Sequence, residues 1–199
     1  MTAQAGDTTS NSSSLALLRA KAQQRSLLRA RRSSLPPSDR RRAAARTALA
    51  LVRAVRRWQA RHVAIYLGMK DELDTAPAIE ALTALGCTLY VPVIGANRTL
   101  RFARLAPPFK RNRYGILEPR VARPAPRLDL VVLPLVAFDA AGRRLGMGGG
   151  YYDRALAQRP RLRRLGYAYS AQEVARVAAD AHDLRLDAVV TESGLRLFC

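Results

Sequence analysis

The densest chemistry in this sequence lies in Gly142-Arg143-Arg144-Leu145-Gly146-Met147-Gly148-Gly149-Gly150-Tyr151-Tyr152-Asp153-Arg154. Five of the nine residues 142–150 are glycine. Glycines this close together let the main chain adopt positive φ and approach a ligand where a Cβ would collide. Their N–H groups, placed ahead of a helix start, form a nest for an anion, and phosphate is the natural guest. A ligand-free turn would use the same residues, but would leave the entropic cost of five glycines without a purpose. Asp153 falls in the first turn of the helix expected next. The helix dipole alone favours an acid there, and a carboxylate there can also hold Mg2+ beside phosphate oxygens. Cationic charge must come from Arg143, Arg144 or the basic N-terminal region. The two standard phosphate loops fit poorly. A Walker A loop needs Lys-Ser/Thr after its last glycine, where this chain has Tyr151-Tyr152. A dinucleotide fingerprint wants G-x-G-x-x-G at the first strand, and here G-x-G-G-G comes late.

Other catalytic chemistries lack residues. The chain has two cysteines, Cys87 and Cys199, and two histidines, His62 and His182, which excludes a disulfide framework and a cysteine-rich zinc site. A histidine metal site would need nearly every histidine present. Formal net charge is +19, which by itself points to nucleic acid. The charge is concentrated, however: residues 15–61 carry Lys21 and thirteen arginines against the single acid Asp39. Only Lys21, Lys70 and Lys110 are lysine among the 34 basic residues, so the excess also fits an arginine-biased, solvated surface. No apolar run reaches the roughly 20 residues of a spanning helix, and the polar N-terminus lacks a signal peptide's apolar core. A cytoplasmic setting is expected.

At 199 residues the chain fits one α/β domain. Residues 1–14, rich in Ser, Thr and Asn, are expected to be a disordered tail ahead of a domain spanning 15–199. Residues 15–33 predict a helix, stopped by Pro36-Pro37; Ser38 or Asp39 can cap a second one running to about Trp58. The two would form an arginine-rich helical hairpin. Strand–helix alternation follows. Strands are expected at 62–67, 88–94, 100–105, 128–138, 163–169 and 186–192. Helices are expected from Asp74 or Thr75 to about Leu85, over 150–158 and near 171–178. Pro92 marks an edge or a strand end. This pattern predicts a mainly parallel sheet with helices on both faces, a three-layer Rossmann-like sandwich. The glycine block then sits beyond the most apolar strand, where open α/β sheets bind ligands.

The block Arg144-Leu-Gly-Met-Gly-Gly-Gly-Tyr-Tyr-Asp-Arg154, preceded by Leu133-Pro-Leu-Val-Ala-Phe-Asp-Ala-Ala-Gly142, resembles the signature of the 5-formyltetrahydrofolate cyclo-ligase (methenyltetrahydrofolate synthetase) family. Further pieces match in order: Lys21-Ala-Gln-Gln-Arg25, Tyr66-Leu-Gly-Met-Lys-Asp-Glu72, Tyr114-Gly-Ile-Leu-Glu-Pro119, Tyr169-Ser-Ala-Gln172, His182-Asp183, and Asp187-Ala-Val-Val-Thr-Glu192. The likeness spans about 15–192. It implies an enzyme that closes 5-formyltetrahydrofolate to 5,10-methenyltetrahydrofolate with ATP and Mg2+, through a phosphorylated formyl oxygen. A monomer with no membrane or specific nucleic-acid partner is expected. The rivals are an arginine-rich nucleic-acid-binding protein using residues 15–61, and another nucleotide-dependent enzyme on the same fold.

The resemblance distributes roles. Lys21, Arg25, Arg144, Leu145, Gly146, Met147, Gly148, Gly149, Gly150, Tyr151 and Tyr152 would bind ATP. Arg25, Leu67, Glu72, Met147, Gly148, Gly149, Gly150 and Tyr151 would bind the folate. Arg25, Arg144 and Tyr151 would serve catalysis, while Asp153 and Asp183 would hold Mg2+. A carboxylate at Glu72 suits a pterin, whose amino and ring N–H groups are donors. On the residues alone, Lys21 and Arg25 share a helix face that equally continues as a solvated stripe through Arg29. Glu72 also fits a simple helix approach, and either tyrosine could pack in the core. Gln24 stands where the family usually has an apolar residue, and Met147 where some members carry a basic one.

Overall fold

The computed structural model describes residues 8–69, 71–96, 99–113, 115–125, 127–180 and 183–198. The readings placed on residues 1–7, Lys70, Tyr114, His182 and Cys199 fall outside these. The chain opens with α1 (Thr8–Ser33) and α2 (Pro37–Arg57). Residues 8–14, expected to be disordered, are helical: no Gly or Pro lies between Thr8 and Ser33 to interrupt a helix that the leucine-bearing part sustains. Neither Ser38 nor Asp39 caps α2. Pro36 occupies the cap with no side-chain bond, Pro37 takes the first helical position, and Asp39 pairs with Arg42 at 2.7 Å.

The body continues through β1 (His62–Ala64), α3 (Ala76–Ala84), β2 (Thr88–Ile94), β3 (Leu100–Arg104), β4 (Phe109–Arg111), β5 (Leu117–Pro119), β6 (Leu130–Leu133), β7 (Ala137–Phe138), β8 (Arg144–Leu145), α4 (Tyr151–Leu156), β9 (Arg163–Tyr167), β10 (Ala188–Thr191) and β11 (Gly194–Leu197). Seven of the strands form one sheet in the order β11-β10-β9-β6-β1-β2-β3. The inner five are parallel, while β3 and β11 pair antiparallel at the edges. Among the parallel strands the chain first moves from β1 outward to β2, then returns to β6 on β1's other side. That reversal opens a crevice beyond the carboxyl ends of β1 and β6, the place where doubly wound sheets bind ligands.

Residue alternation on the strands builds the two helix layers. Val63, Leu130, Val132, Ala188 and Val190 pack with Leu51, Ala54 and Val55 of α2 and Leu82 of α3. Ala64, Val131, Leu133 and Val189 pack on the other face with Leu156 of α4. α1 takes a different path from α2: its Leu28 joins Val136, Ala137, Leu145 and Val177 beside the crevice.

Three expectations change in detail. The apolar run 128–138 does not form one strand. β6 is central, but Pro134 ends it, and β7 leaves the sheet to pair with β8. The Pro-rich stretch 106–127, to which the sequence pattern assigns no element, contains the small β4–β5 hairpin. The expected helix near 171–178 is a single 3-10 turn, Ser170–Gln172. Asp74, rather than Thr75, makes the side-chain contact at the start of α3, accepting from Ala76 N–H at 2.9 Å. Pro92 lies past the part of β2 that pairs with β1, so its missing N–H breaks no ladder on that side.

The packing of α2 makes a direct test. Leu51 is fully buried and Leu49, two residues earlier, is 61% exposed. Leu51→Ala should cost about 2–5 kcal/mol, whereas Leu49→Ala should change stability by no more than about 0.5 kcal/mol. Chemical denaturation measures both.

Candidate active site

The crevice holds a cavity of about 490 Å³. One wall comes from α1 and the glycine loop, with Lys21, Arg25, Arg144 and Gly146–Gly150. The opposite wall comes from the loop after β1, with Tyr66, Leu67 and Glu72. The β4–β5 hairpin closes a third side with Asn112, Ile116 and Glu118. Every residue given a site role from the sequence lines this cavity.

Local geometry explains the glycines. Gly148 has φ of +92°, and a Cβ there would stand 3.2 Å from Arg25 Cζ. Arg25 Nε donates to the Gly146 carbonyl at 2.9 Å, so its guanidinium lies flat along the loop. Gly150, at φ of +63°, caps α4. α4 has only six residues, so its dipole is small; loop N–H groups and side-chain cations must carry the anion site. Arg154 braces the loop through Gly149 O at 3.0 Å, with its guanidinium 5.5 Å from the centre of the Tyr151 ring. Tyr152 packs against the core beneath while its edge reaches the cavity. Met147 is 49% exposed at the mouth.

The charges are paired. Lys21 is buried, and its Nζ contacts Asp183 Oδ2 at 2.5 Å and Asp180 Oδ2 at 3.0 Å. Burial pulls the Lys21 pKa down, but the two carboxylates overcome it and hold the ammonium above its ordinary value. Buried Arg144 donates through Nη2 to Asp153 Oδ1 at 2.6 Å, and its enclosed Nε has no hydrogen-bond partner among the described residues. Asp153 Oδ1 also accepts the N–H of Leu184, the neighbour of Asp183, at 3.4 Å. The two residues assigned to Mg2+ line the same cavity, with Asp153 bonded to the main chain next to Asp183. Among the described residues no three His, Cys, Asp or Glu side chains gather. A hard divalent ion would thus take few carboxylates here and complete its shell with phosphate oxygens, a donor set that suits Mg2+.

Enclosure shapes the opposite wall. Glu72 accepts the Met69 N–H at 3.0 Å. Burial raises its pKa, with the Met69 N–H and the Arg32 charge opposing. Burial also raises the Tyr66 and Tyr152 phenols, and Glu72 adds to both shifts. Sequence reasoning missed Asp180, Arg32 and Glu118. Asp180 sits three residues from Asp183, a spacing that could have suggested a pair. Arg32 is one arginine in a basic helix, with nothing to single it out. Glu118 was visible only as one letter of a short matching segment. Cys87 is half-buried, with its thiol pKa pushed up by burial and then by Asp129.

A doubly wound α/β body with a glycine-lined, cation-rich crevice at its switch point defines an anion-binding enzyme class. Residues 17–192 match the 5-formyltetrahydrofolate cyclo-ligase family. The Escherichia coli (strain K12) 5-formyltetrahydrofolate cyclo-ligase is 41% identical over 141 residues, covering 66% of this chain and 78% of that one. The Haemophilus influenzae 5-formyltetrahydrofolate cyclo-ligase is 37% identical over 138 residues, covering 64% and 74%. In three dimensions the chain is similar to Aquifex aeolicus 5,10-methenyltetrahydrofolate synthetase, with a TM-score of 0.76, 30% identity and coverage of 89% and 92%. This chain belongs to the 5-formyltetrahydrofolate cyclo-ligase family and is an enzyme of that class. No helix among the described residues is long and apolar enough to cross a membrane.

The raised Glu72 pKa carries a stability signature. A proton binds more tightly to the folded than to the unfolded form, so stability falls as pH rises from the ordinary glutamate value through the raised one. Glu72→Gln should melt higher than wild type at neutral pH, and the gap should close below about pH 4, where both forms are neutral. Thermal scans across that range check it; a variant that melts lower at neutral pH would contradict the burial of this charge.

Proposed function

We propose that this chain cyclises 5-formyltetrahydrofolate to 5,10-methenyltetrahydrofolate, converting ATP to ADP and phosphate. The observation that carries the reading is one cavity with two unlike walls. Lys21, Arg25, Arg144 and the glycine N–H groups form a phosphate-suited side, facing Tyr66, Leu67 and Glu72 on a side suited to a flat, donor-bearing ring.

A formamide oxygen is a poor leaving group. In this reading it attacks the γ-phosphorus, the bond to the β,γ-bridging oxygen breaks, and ADP departs. N10 then attacks the activated carbon and loses its proton, and the C–O bond breaks to release phosphate. Positioning and charge neutralisation suffice, with no side-chain nucleophile. Arg25, fixed along the loop, would meet both substrates. Lys21 and Arg144 would offset phosphate charge, and Tyr151 would border the transfer point. Leu145 and Met147 would flank the phosphates, with Gly146, Gly148, Gly149 and Gly150 supplying close main-chain contacts. Glu72 would accept from the pterin's donor edge. Asp153 and Asp183 would hold Mg2+, which supplies charge neutralisation across the phosphate oxygens when bound. The reading places a monomer in the cytoplasm.

Purified protein with 5-formyltetrahydrofolate, ATP and Mg2+ should form the methenyl chromophore at near-neutral pH; no product above the enzyme-free control would end the proposal. Arg25→Ala should cost on the order of 2 kcal/mol or more in kcat/KM, while exposed Arg41→Ala should cost little. Asp153→Asn should stay folded yet need far more Mg2+ and lose kcat. Unchanged metal dependence would remove Asp153 from the site.

A further inference from the structure

The β4–β5 hairpin poses a problem of support. Its strands have three residues each, β4 is exposed along its length, and neither strand joins the seven-stranded sheet. An isolated two-stranded ribbon of this size has little stability of its own. It nevertheless forms a wall of the cavity, presenting Asn112, Ile116 and Glu118.

Glu118 is the connection. It is only 3% exposed. Its Oε1 accepts the Ile94 N–H at the end of β2 at 2.9 Å, and the Asn112 Nδ2 group at 2.7 Å. Asn112 in turn closes the hairpin's tip. Its Oδ1 accepts Ile116 N–H at 3.1 Å, its N–H donates to Ile116 O at 2.9 Å, and its carbonyl accepts Gly115 N–H at 2.9 Å. One carboxylate oxygen therefore joins the sheet, the hairpin strand and the hairpin tip. Removing it would leave Ile94 N–H enclosed without an acceptor and free the tip from β2.

We propose that Glu118 is a positioning residue that bolts the hairpin over the folate half of the cavity and thereby sets affinity for the folate but not for ATP. The role rests on the cyclo-ligase reading for its substrate and on the hydrogen bonds for its geometry. What the bolt requires is an acceptor oxygen in that place. Gln keeps such an oxygen and discards the charge; Ala discards both.

The test compares Glu118→Gln and Glu118→Ala in the full chain. Amide hydrogen exchange should show Ile94 and the 109–118 amides exchanging at least tenfold faster in the Ala variant, with the Gln variant close to wild type. Steady-state kinetics should show KM for 5-formyltetrahydrofolate rising about tenfold in the Ala variant, with KM for ATP within twofold of wild type and the Gln variant restoring both. Unchanged exchange in the Ala variant would overturn the bolt. A Gln variant as impaired as Ala would overturn it too, by making the charge the operative property. Equal increases in both KM values would overturn the division between substrates. Exchange needs no substrate, so it decides the bolt even if wild-type protein shows no turnover, a result that would count against the cyclo-ligase reading alone.

Discussion

A buried ammonium group needs a counter-charge, and the architecture around Lys21 follows from that requirement. Lys21 meets Asp180 and Asp183, which belong to a loop more than 150 residues further along the chain. The same helix lays Arg25 along the Gly146 carbonyl, and Gln24 clamps the main chain at Arg176 O and Ala178 N–H, each at 3.0 Å. α1 is thereby held to the acidic loop and to the glycine loop at once. Asp183 and Asp153 line one cavity as a consequence, each paired with a cation. Both signs of charge are present in mutually neutralised pairs, which lowers the cost of keeping them in a half-enclosed crevice.

The fold provides the crevice and the loops give it chemistry. The β1–β6 reversal fixes where a ligand can enter, and Pro134 ends the central strand there, so the chain turns out of the sheet into β7 and β8. β8 delivers Arg144 and Leu145 directly into the glycine loop. The folate-suited wall is assembled from pieces further apart in sequence: the post-β1 loop, the ends of β2 and β3, and the hairpin. This difference in construction accounts for the different character of the two sides, one rich in main-chain donors and cations, the other apolar with two carboxylates.

Much of this was legible in the residues. The five parallel strands, the helices on both faces and the place of the glycine block follow from apolar runs, proline and glycine punctuation, and alternation. The cavity residues from Lys21 to Asp183 became legible through ordered matching segments. Long-range partners were not. Nothing local in Lys21 announces Asp180, because that pair exists only after a loop distant in sequence closes on α1, and nothing in the glycine spacing announces that the loop folds Asp153 back onto Arg144, nine residues earlier. The β4–β5 hairpin was missed because three-residue strands among prolines show no usable period. The helical extension back to Thr8 was missed because Ser and Thr are read as breakers, although a helix growing from a stable segment accommodates them.

The proposed reaction requires that one crevice receive both the triphosphate and the folate, with the glycine loop between them. A crystal structure of the protein with a non-hydrolysable ATP analogue, Mg2+ and 5-formyltetrahydrofolate tests it most directly. The γ-phosphate should lie against the main-chain N–H groups of Gly148–Gly150, with Lys21 and Arg144 within reach, and the pterin beside Glu72. A nucleotide seated elsewhere, such as the shallow depression lined by Arg56, Arg61 and Cys87, would contradict it.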